Sequence, residues 1–258
     1  MTTLAPEELK ACCASAYGSA AAHFLLGDSF HPGGSKLTSR LGRALQAGAA
    51  STVLDVACGR GASALQLARE LGCTVVGVDL AEENVVAARQ LGVEAGLGPH
   101  VHFLHGDAEA LPLADRSVDG VVCECALCTF PDKPAAAREI TRVLRPGGRL
   151  ALADMTAVPE RLPPELKTVQ AWVACVADAR PLDEIAGLLE RAGLEVESTD
   201  RHDEALAALL ERIDGRLRLV GMLDGMAPVA RGRELVAAAR SALEAGALGY
   251  GAVIARKP

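Results

Sequence analysis

The sequence predicts an α/β fold in which a doubly wound, largely parallel sheet is covered by helices on both faces. Between residues 52 and 156, short apolar runs alternate with amphipathic segments of helical length, which is typical of such a sheet. The first apolar run, "TVLDVA" (52–57), leads through the glycine-rich turn "CGRG" into a helical segment. A strand, a glycine turn and a helix in this order are typical of a unit that binds a small ligand.

Strands are predicted wherever a short run of apolar, often β-branched residues stands between turn-forming residues. Seven segments meet this description: 52–57, 73–80, 101–107, 117–124, 149–155, 194–200 and 248–257. The last two follow a change of pattern, because a proline-broken connection, "RLPPEL", comes after the fifth run.

Helices are predicted between the strands from their apolar spacing and their end signals. They cover 61–72, 81–92, 132–148, 181–193 and the long stretch 203–245. Gly72 is a plausible stop for the first, and Asp132 is a cap for the third, which Pro146-Gly147-Gly148 should end. Residues 5–47 are also predicted to be helical, with a break near 30–36.

Composition excludes several classes of protein. The chain has 258 residues, half of them apolar, and a formal net charge of -7, so no basic face for nucleic acid is expected. The N-terminus "MTTLAPEELK" lacks the cations and apolar segment of a signal peptide, and no apolar run is long enough to span a membrane. We expect a cytoplasmic protein whose eight cysteines are thiols rather than disulfides, either a monomer or a homodimer.

The glycine turn carries an acid on each side. Asp55 precedes Gly59 and Gly61, and Asp79 ends the second predicted strand. A carboxylate at the position of Asp79 can accept hydrogen bonds from ribose hydroxyls, so both a dinucleotide and S-adenosylmethionine are candidate ligands. Asp55 favours the second, because it would repel a pyrophosphate but would suit the ammonium group of a methionine moiety.

Four stretches carry a specific resemblance: "VLDVACGRG", "VVGVDL", "GDAEALPLADRSVDGVVCE" and "RVLRPGGRLALAD". Together they resemble the class I S-adenosylmethionine-dependent methyltransferases, in the order and with the gaps of that family. The resemblance implies an enzyme with a seven-stranded Rossmann-like sheet whose last strand is antiparallel. It divides the chain into an N-terminal helical cap (1–50), an S-adenosylmethionine-binding core (51–156) and a C-terminal part that completes the sheet and carries a helical insertion (157–258).

The same resemblance implies which residues bind the cofactor. Asp55, Gly59 and Gly61 would line its methionine and ribose, and Asp79 would bind the ribose hydroxyls. The remaining positions would contact the adenine, lie under the methionine moiety or close over the cofactor from the cap: Leu80, Asp107 and Ala108; Cys123 and Glu124; and Tyr17.

The methyl acceptor is less clearly marked. An oxygen or nitrogen acceptor often requires a general base, for which the candidates are His23, His31, His102, His105 and Asp154. A lone histidine is more often structural, and the sequence contains no convincing acid–base pair. Its absence favours an acceptor that already carries a lone pair.

The stretch "VCECALCTF" offers thiols instead. Cys125 follows the fourth predicted strand at the ligand-binding edge, whereas Cys123 is expected to pack within the strand. The segment from here to "AWVACVADARPLDEIAGLLERAGL" resembles the arsenite methyltransferase branch, in which matching cysteines bind trivalent arsenic. Those positions are Cys125 and Cys175, and two thiolates could hold As(III) with its lone pair towards the methyl group.

The match to this branch is incomplete. Glu124 replaces an asparagine, Cys12 or Cys13 correspond only loosely to its N-terminal cysteines, and residues 203–258 find no counterpart. One alternative is a methyltransferase for an ordinary small metabolite, with an oxygen, nitrogen or carbon acceptor and structural cysteines. Another is a metal- or redox-binding protein without catalytic activity, in which Cys123, Cys125 and Cys128 chelate a metal together with Cys12 or Cys13. The role of Cys128 stays open, and no resident metal ion is predicted.

Overall fold

A computed structural model describes residues 5–19, 27, 31–168, 171, 174–224 and 227–258 of the protein. Its centre is one seven-stranded sheet with the order β3-β2-β1-β4-β5-β7-β6. The strands are β1 (Thr52–Val56), β2 (Thr74–Asp79), β3 (Val101–His105), β4 (Val118–Glu124), β5 (Leu144–Ala157), β6 (Glu195–Arg201) and β7 (Leu248–Arg256). Only β7 runs antiparallel to its neighbours, so the predicted fold class is confirmed.

Helices cover both faces of the sheet. They are α1 (Pro6–Gly18), α2 (Gly34–Ala44), α3 (Ala62–Leu71), α4 (Glu82–Glu94), α5 (Lys133–Val143), α6 (Leu182–Arg191), α7 (Asp203–Asp224) and α8 (Ala227–Glu244). Among the described residues, no helix combines the length and apolar character needed to cross a membrane.

One predicted helix ends five residues earlier in the structure than the sequence indicates. The helix expected over 132–148 begins after Asp132, whose side chain accepts a hydrogen bond from the Ala135 amide at 2.8 Å, but it stops at Val143. Leu144 already belongs to β5, where it pairs with Val118 of β4. Sheet pairing therefore ends the helix before the Pro-Gly-Gly sequence is reached.

The order of the strands creates the ligand-binding edge. Chain connections go outward in opposite directions from the central pair β1 and β4, so a crevice opens at the carboxyl ends of these two strands. Asp55 and the glycine turn lie at the end of β1, and Glu124 and Cys125 lie at the end of β4.

Two apolar layers enclose the sheet, one on each face. Cys123 belongs to the layer that packs against α5 and α6, whereas Cys128 and Cys175 belong to the layer that includes α2, α3, α7 and α8. The cysteines of the "VCECALCTF" stretch are thus divided between the two faces, with Cys123 inside β4 and Cys128 beyond its end.

Candidate active site

The turn after β1 depends on backbone conformations that favour glycine. Gly59 and Gly61 have φ values of 54° and 84°. A Cβ atom on Gly61 would lie 2.8 Å from the ring of Phe103, which is closer than packed side chains allow. The turn is therefore open to a ligand on one side and tightly packed against β3 on the other.

Two buried carboxylates flank this turn. Asp79 accepts hydrogen bonds from the amides of Gly59 (2.8 Å) and Ala81 (2.9 Å) and from the side chain of Asn84 (3.2 Å). Asp55 is 2% exposed, and among the described residues its Oδ2 atom has no hydrogen-bond partner. Burial, followed by the charges of Glu124 and Asp79, raises the pKa of Asp55 well above its usual range.

A cleft opens between the turn and helix α1, and we call it the cofactor cleft. Seven of the ten residues predicted to bind the cofactor line it: Tyr17, Gly59, Asp79, Leu80, Asp107, Ala108 and Glu124. Asp55, Gly61 and Cys123 do not line it. An orphaned buried carboxylate oxygen beneath a cleft fits a ligand with a cationic group, and the methionine end of S-adenosylmethionine has one.

Helix α1 is held over the cleft by Lys10. Its ammonium group lies 2.7 Å from Asp107 Oδ2 and 2.5 Å from Glu109 Oε2. Asp107 and Glu109 follow β3 at the carboxyl end of the strand, so this contact joins the N-terminal helix α1 to the core. Sequence patterns gave no signal for Lys10, because its partners are distant in the chain.

Glu124 lines the cofactor cleft and also contacts residues of α2 and α3. Its carboxylate accepts hydrogen bonds from Thr38 (3.0 Å) and Ser63 (2.6 Å), and His31 Nδ1 lies 3.5 Å from Oε1. His31 is buried and lines neither the cofactor cleft nor the chamber described below. Thr38 thus joins α2 to β4, and the contact of His31, which precedes α2, does not place it as a general base.

Three thiols, those of Cys125, Cys128 and Cys175, meet beyond the end of β4, and we call them the thiol cluster. Cys175 Sγ lies 3.0 Å from the hydroxyl oxygen of Tyr17 and 3.5 Å from the carbonyl oxygen of Cys125. Cys125 and Cys175 have φ values of 53° and 65°, in the left-handed region that residues other than glycine rarely adopt. Both side chains are thus held by a strained backbone.

Electrostatics distinguish the members of the cluster. Hydrogen bonds from the thiols of Cys125 and Cys128, helped by Tyr17 and by the charge of Lys133, lower the pKa of Cys175 well below its usual value. Burial and the hydrogen bonds that Cys128 donates raise the pKa of Cys128. Within the cluster, the surroundings therefore favour the thiolate form at Cys175 over the other two cysteines.

Lys133 and Asp154 fix the loops that carry these thiols. Lys133 Nζ donates to the carbonyl oxygens of Cys128 (3.2 Å) and Phe130 (3.0 Å) and pairs with Asp178, three residues after Cys175. Asp154 accepts a hydrogen bond from the Cys128 amide at 3.1 Å. Burial and the charge of Cys175 raise the pKa of Asp154 to about 7.

A second cavity, which we call the apolar chamber, begins at the thiol cluster and runs between α7, α8 and the sheet. Its volume is about 320 Å³. Among the described residues that line it, the side chains with polar atoms are Tyr17, Cys125 and Cys175, and all of them lie at the end shared with the cluster. The walls are aliphatic and include Leu206, Leu210, Leu217, Val236 and Ala239.

The remaining candidate residues differ in their placement. His102 and His105 are exposed on β3, and His23 and Trp172 lie outside the described residues. Cys13 lines the cofactor cleft, and burial raises its pKa to about 12. In the part of the chain that the structure describes, no three His, Cys, Asp or Glu side chains are placed to hold a metal ion.

Comparison with known proteins identifies relatives across the central part of the chain. Residues 54–152 match the model of a family described as a methyltransferase domain. Methyltransferase GfsG of Streptomyces halstedii is 37% identical over 67% of this chain and 63% of its own length. An arsenite methyltransferase of Halobacterium salinarum is 33% identical over 60% of this chain, and this match spans 40% of that protein.

Other relatives extend the match in length and in three dimensions. O-methyltransferase rstn1 of Aspergillus nomiae is 32% identical over 65% of this chain and 75% of its own length. The crystal structure of the [4+2]-cyclase SpnF superimposes with a TM-score of 0.73 at 25% identity, covering 87% of this chain and 80% of that one. The chain spans less than two thirds of the length of the first two curated relatives, so their substrates do not transfer to it directly.

Proposed function

Because the chain belongs to the S-adenosylmethionine-dependent methyltransferases, we propose that it methylates a small thiophilic acceptor, trivalent arsenic above all, held by Cys125 and Cys175. The observation that carries this proposal is the position of the thiol cluster. Tyr17 and Cys125 line both the cofactor cleft and the apolar chamber, and Cys175 lines the chamber, so Cys125 stands at the junction of the two cavities with Cys175 beside it.

The chemistry of the cluster suits a soft acceptor. When bound, S-adenosylmethionine supplies a methyl group on a sulfonium sulfur, which an acceptor lone pair can displace in line. Thiolates prefer soft centres, and the Cys175 thiolate together with Cys125 would hold As(III) through two sulfur atoms. Among the described candidates for a general base, none lines either cavity, which supports an acceptor with a free lone pair.

The cofactor residues have distinct proposed roles. Asp55 would face the ammonium group of the methionine moiety through its unpartnered oxygen, and Asp79 would accept from the ribose hydroxyls. Asp107 would approach the adenine from the rim of the cleft, and Tyr17 would close over the methyl group. The backbone of Cys123 and Glu124 would form the floor beneath the methionine moiety.

The test is arsenite methylation by the wild-type protein and by Cys125→Ser and Cys175→Ser, each measured with S-adenosylhomocysteine binding. Both substitutions should abolish methylation and leave the dissociation constant of S-adenosylhomocysteine within about twofold, because a hydroxyl does not bind As(III) as a thiolate does. Cys73→Ser is the matched control, since Cys73 is a buried cysteine in the core away from the site. Full activity in either site variant would disprove the two-thiolate site.

A second candidate is methylation of a hydroxyl group on an apolar molecule. The aliphatic lining of the chamber and the similarity to O-methyltransferases favour it. In that case a phenol would be methylated at similar rates by the wild-type protein and by Cys175→Ser, because the thiol would contribute only packing.

A further inference from the structure

The apolar chamber is larger than an inorganic acceptor requires. An aliphatic cavity of about 150 Å³ in a protein interior stays dry and takes up benzene. The chamber, at about 320 Å³, is roughly twice that size and corresponds to about ten to twelve carbon atoms. Arsenite alone would occupy only the end near the thiols.

The distribution of polar atoms gives the orientation of an occupant. Tyr17, Cys125 and Cys175 are grouped at one end, and the rest of the described lining offers no side-chain hydrogen bond. A polar group deep in the chamber would lose its hydrogen bonds to water without finding a protein partner, which is unfavourable. Burying apolar surface there is favourable. The occupant must therefore be polar or soft at one end and apolar over the rest.

We infer that the natural acceptor carries its soft atom on an apolar organic body, as an aryl thiol or an aryl arsenical does, and that the apolar chamber binds this body. This inference rests on the proposed function, because it takes the acceptor atom to be the one at Cys125 and Cys175. The acceptor lone pair forms the new bond to the methyl carbon, and the electrons of the broken carbon–sulfur bond return to the cofactor sulfur. An aryl thiol is largely ionised at neutral pH, so its proton is already in solvent. An aryl As(III) acceptor carries no proton to lose; its lone pair becomes the new bond, so the arsenic becomes pentavalent and the methyl transfer itself needs no outside oxidant or reductant.

Four compounds test separately what the apolar body and the acceptor atom contribute to kcat/KM. 2-Naphthalenethiol has the soft atom and the apolar body, 2-naphthol has the body with an oxygen, 2-mercaptoethanol has the soft atom without the body, and phenylarsine oxide supplies As(III) on an aryl group. We expect kcat/KM for 2-naphthalenethiol to exceed that for 2-mercaptoethanol by about 100-fold or more, because the ring carbons leave water. A fifth compound, arsenite, has As(III) without the aryl group, so the ratio of kcat/KM for phenylarsine oxide to that for arsenite measures the effect of the body on an arsenic acceptor.

Two variants of α8 show whether the chamber is responsible. Ala239→Phe fills the chamber and should lower kcat/KM for 2-naphthalenethiol at least about tenfold, with little change for 2-mercaptoethanol. Ala237→Phe places the same ring on the exposed face of the same helix and should change neither. Val236→Phe is a second filling variant if Ala239→Phe melts well below the wild-type protein.

The outcomes separate this inference from the proposed function. Equal activity of Ala239→Phe and Ala237→Phe on 2-naphthalenethiol would overturn the chamber inference and leave the soft acceptor in place. Faster methylation of 2-naphthol than of 2-naphthalenethiol, lost in Ala239→Phe, would overturn the soft acceptor and keep the chamber. If no compound is methylated, calorimetric binding of 2-naphthol to the two variants decides the chamber: equal affinities overturn it, and a weaker Ala239→Phe supports it.

Discussion

Replacing Asp55 by asparagine is expected to stabilise the free protein while weakening cofactor binding. In the free protein the Asp55 carboxylate is buried, one of its oxygens has no hydrogen-bond partner among the described residues, and Glu124 and Asp79 repel its charge. An amide of the same shape removes the charge from this site. The cofactor's ammonium group would lose a charged partner by the same change.

The magnitudes follow from the burial of a single charge. Removing one buried, unpaired charge should raise the free energy of unfolding by about 1–3 kcal/mol. At about 2–4 °C per kcal/mol for a chain of 258 residues, the melting temperature of the free protein should rise by about 2–12 °C. A hydrogen bond to a charged group contributes about 1.5–3 kcal/mol, so the dissociation constant of S-adenosylhomocysteine should rise about 10- to 100-fold.

The effect should also depend on pH. Because the pKa of Asp55 is raised in the folded state, the folded protein keeps a proton that the unfolded chain has lost at the ordinary pKa. The contribution of Asp55 to the stability of the wild-type protein therefore falls as pH rises from the unfolded pKa towards the folded pKa. The difference in melting temperature between Asp55→Asn and wild type should grow over that same pH range.

Thermal melting across pH and calorimetric titration with S-adenosylhomocysteine measure both effects. Asp183→Asn, on an exposed position of α6, is the control for the loss of one carboxylate and should change neither quantity. A variant that melts below the wild-type protein and binds S-adenosylhomocysteine unchanged would refute the reasoning about Asp55.

Two further predictions concern the support of the thiol cluster. Lys133→Met should lower the free energy of unfolding by about 1–3 kcal/mol, measured by chemical denaturation, because two carbonyls lose this donor and Asp178 keeps only its contact with Arg180 among the described residues; an unchanged denaturation midpoint would contradict this role of Lys133. Tyr17→Phe should raise the pKa of Cys175, because the thiolate loses a hydroxyl donor at 3.0 Å, and the thiolate absorbance lost in Cys175→Ser should then appear at higher pH. Tyr250→Phe, whose hydroxyl donates to a backbone carbonyl, should leave that midpoint unmoved.

Most of the sheet could be predicted because its signals are local. The strand from Thr52 to Val56 and the helix that follows it are marked by an apolar run, by glycines and by Gly72, which adopts a left-handed conformation at the helix end. The end of α5 could not be predicted in this way. Leu144 continues a helical apolar pattern, and only its pairing with Val118 across the sheet assigns it to β5.

The same difference between local and long-range signals explains which residues of the candidate site could be predicted. Gly59, Asp79 and Asp107 follow strands, and parallel strands bring their carboxyl ends to one edge, so their placement in the cleft was predictable. Lys10 and Lys133 were missed because each acts through partners that are far away in the chain or that lie on the backbone. Their roles, like those of the cofactor residues, stay predictions until the variants are measured.

The left-handed conformations of Cys125 and Cys175 determine which substitutions at these two positions would stabilise the protein. Glycine would adopt both conformations without strain, whereas any other residue loses about 1–2 kcal/mol at each position. A search for thermostable variants should therefore return glycine at these two positions unless activity is also selected. The two thiols lie where stability and chemistry make opposite demands, so a screen run with and without the methylation assay would reveal which residues the reaction requires.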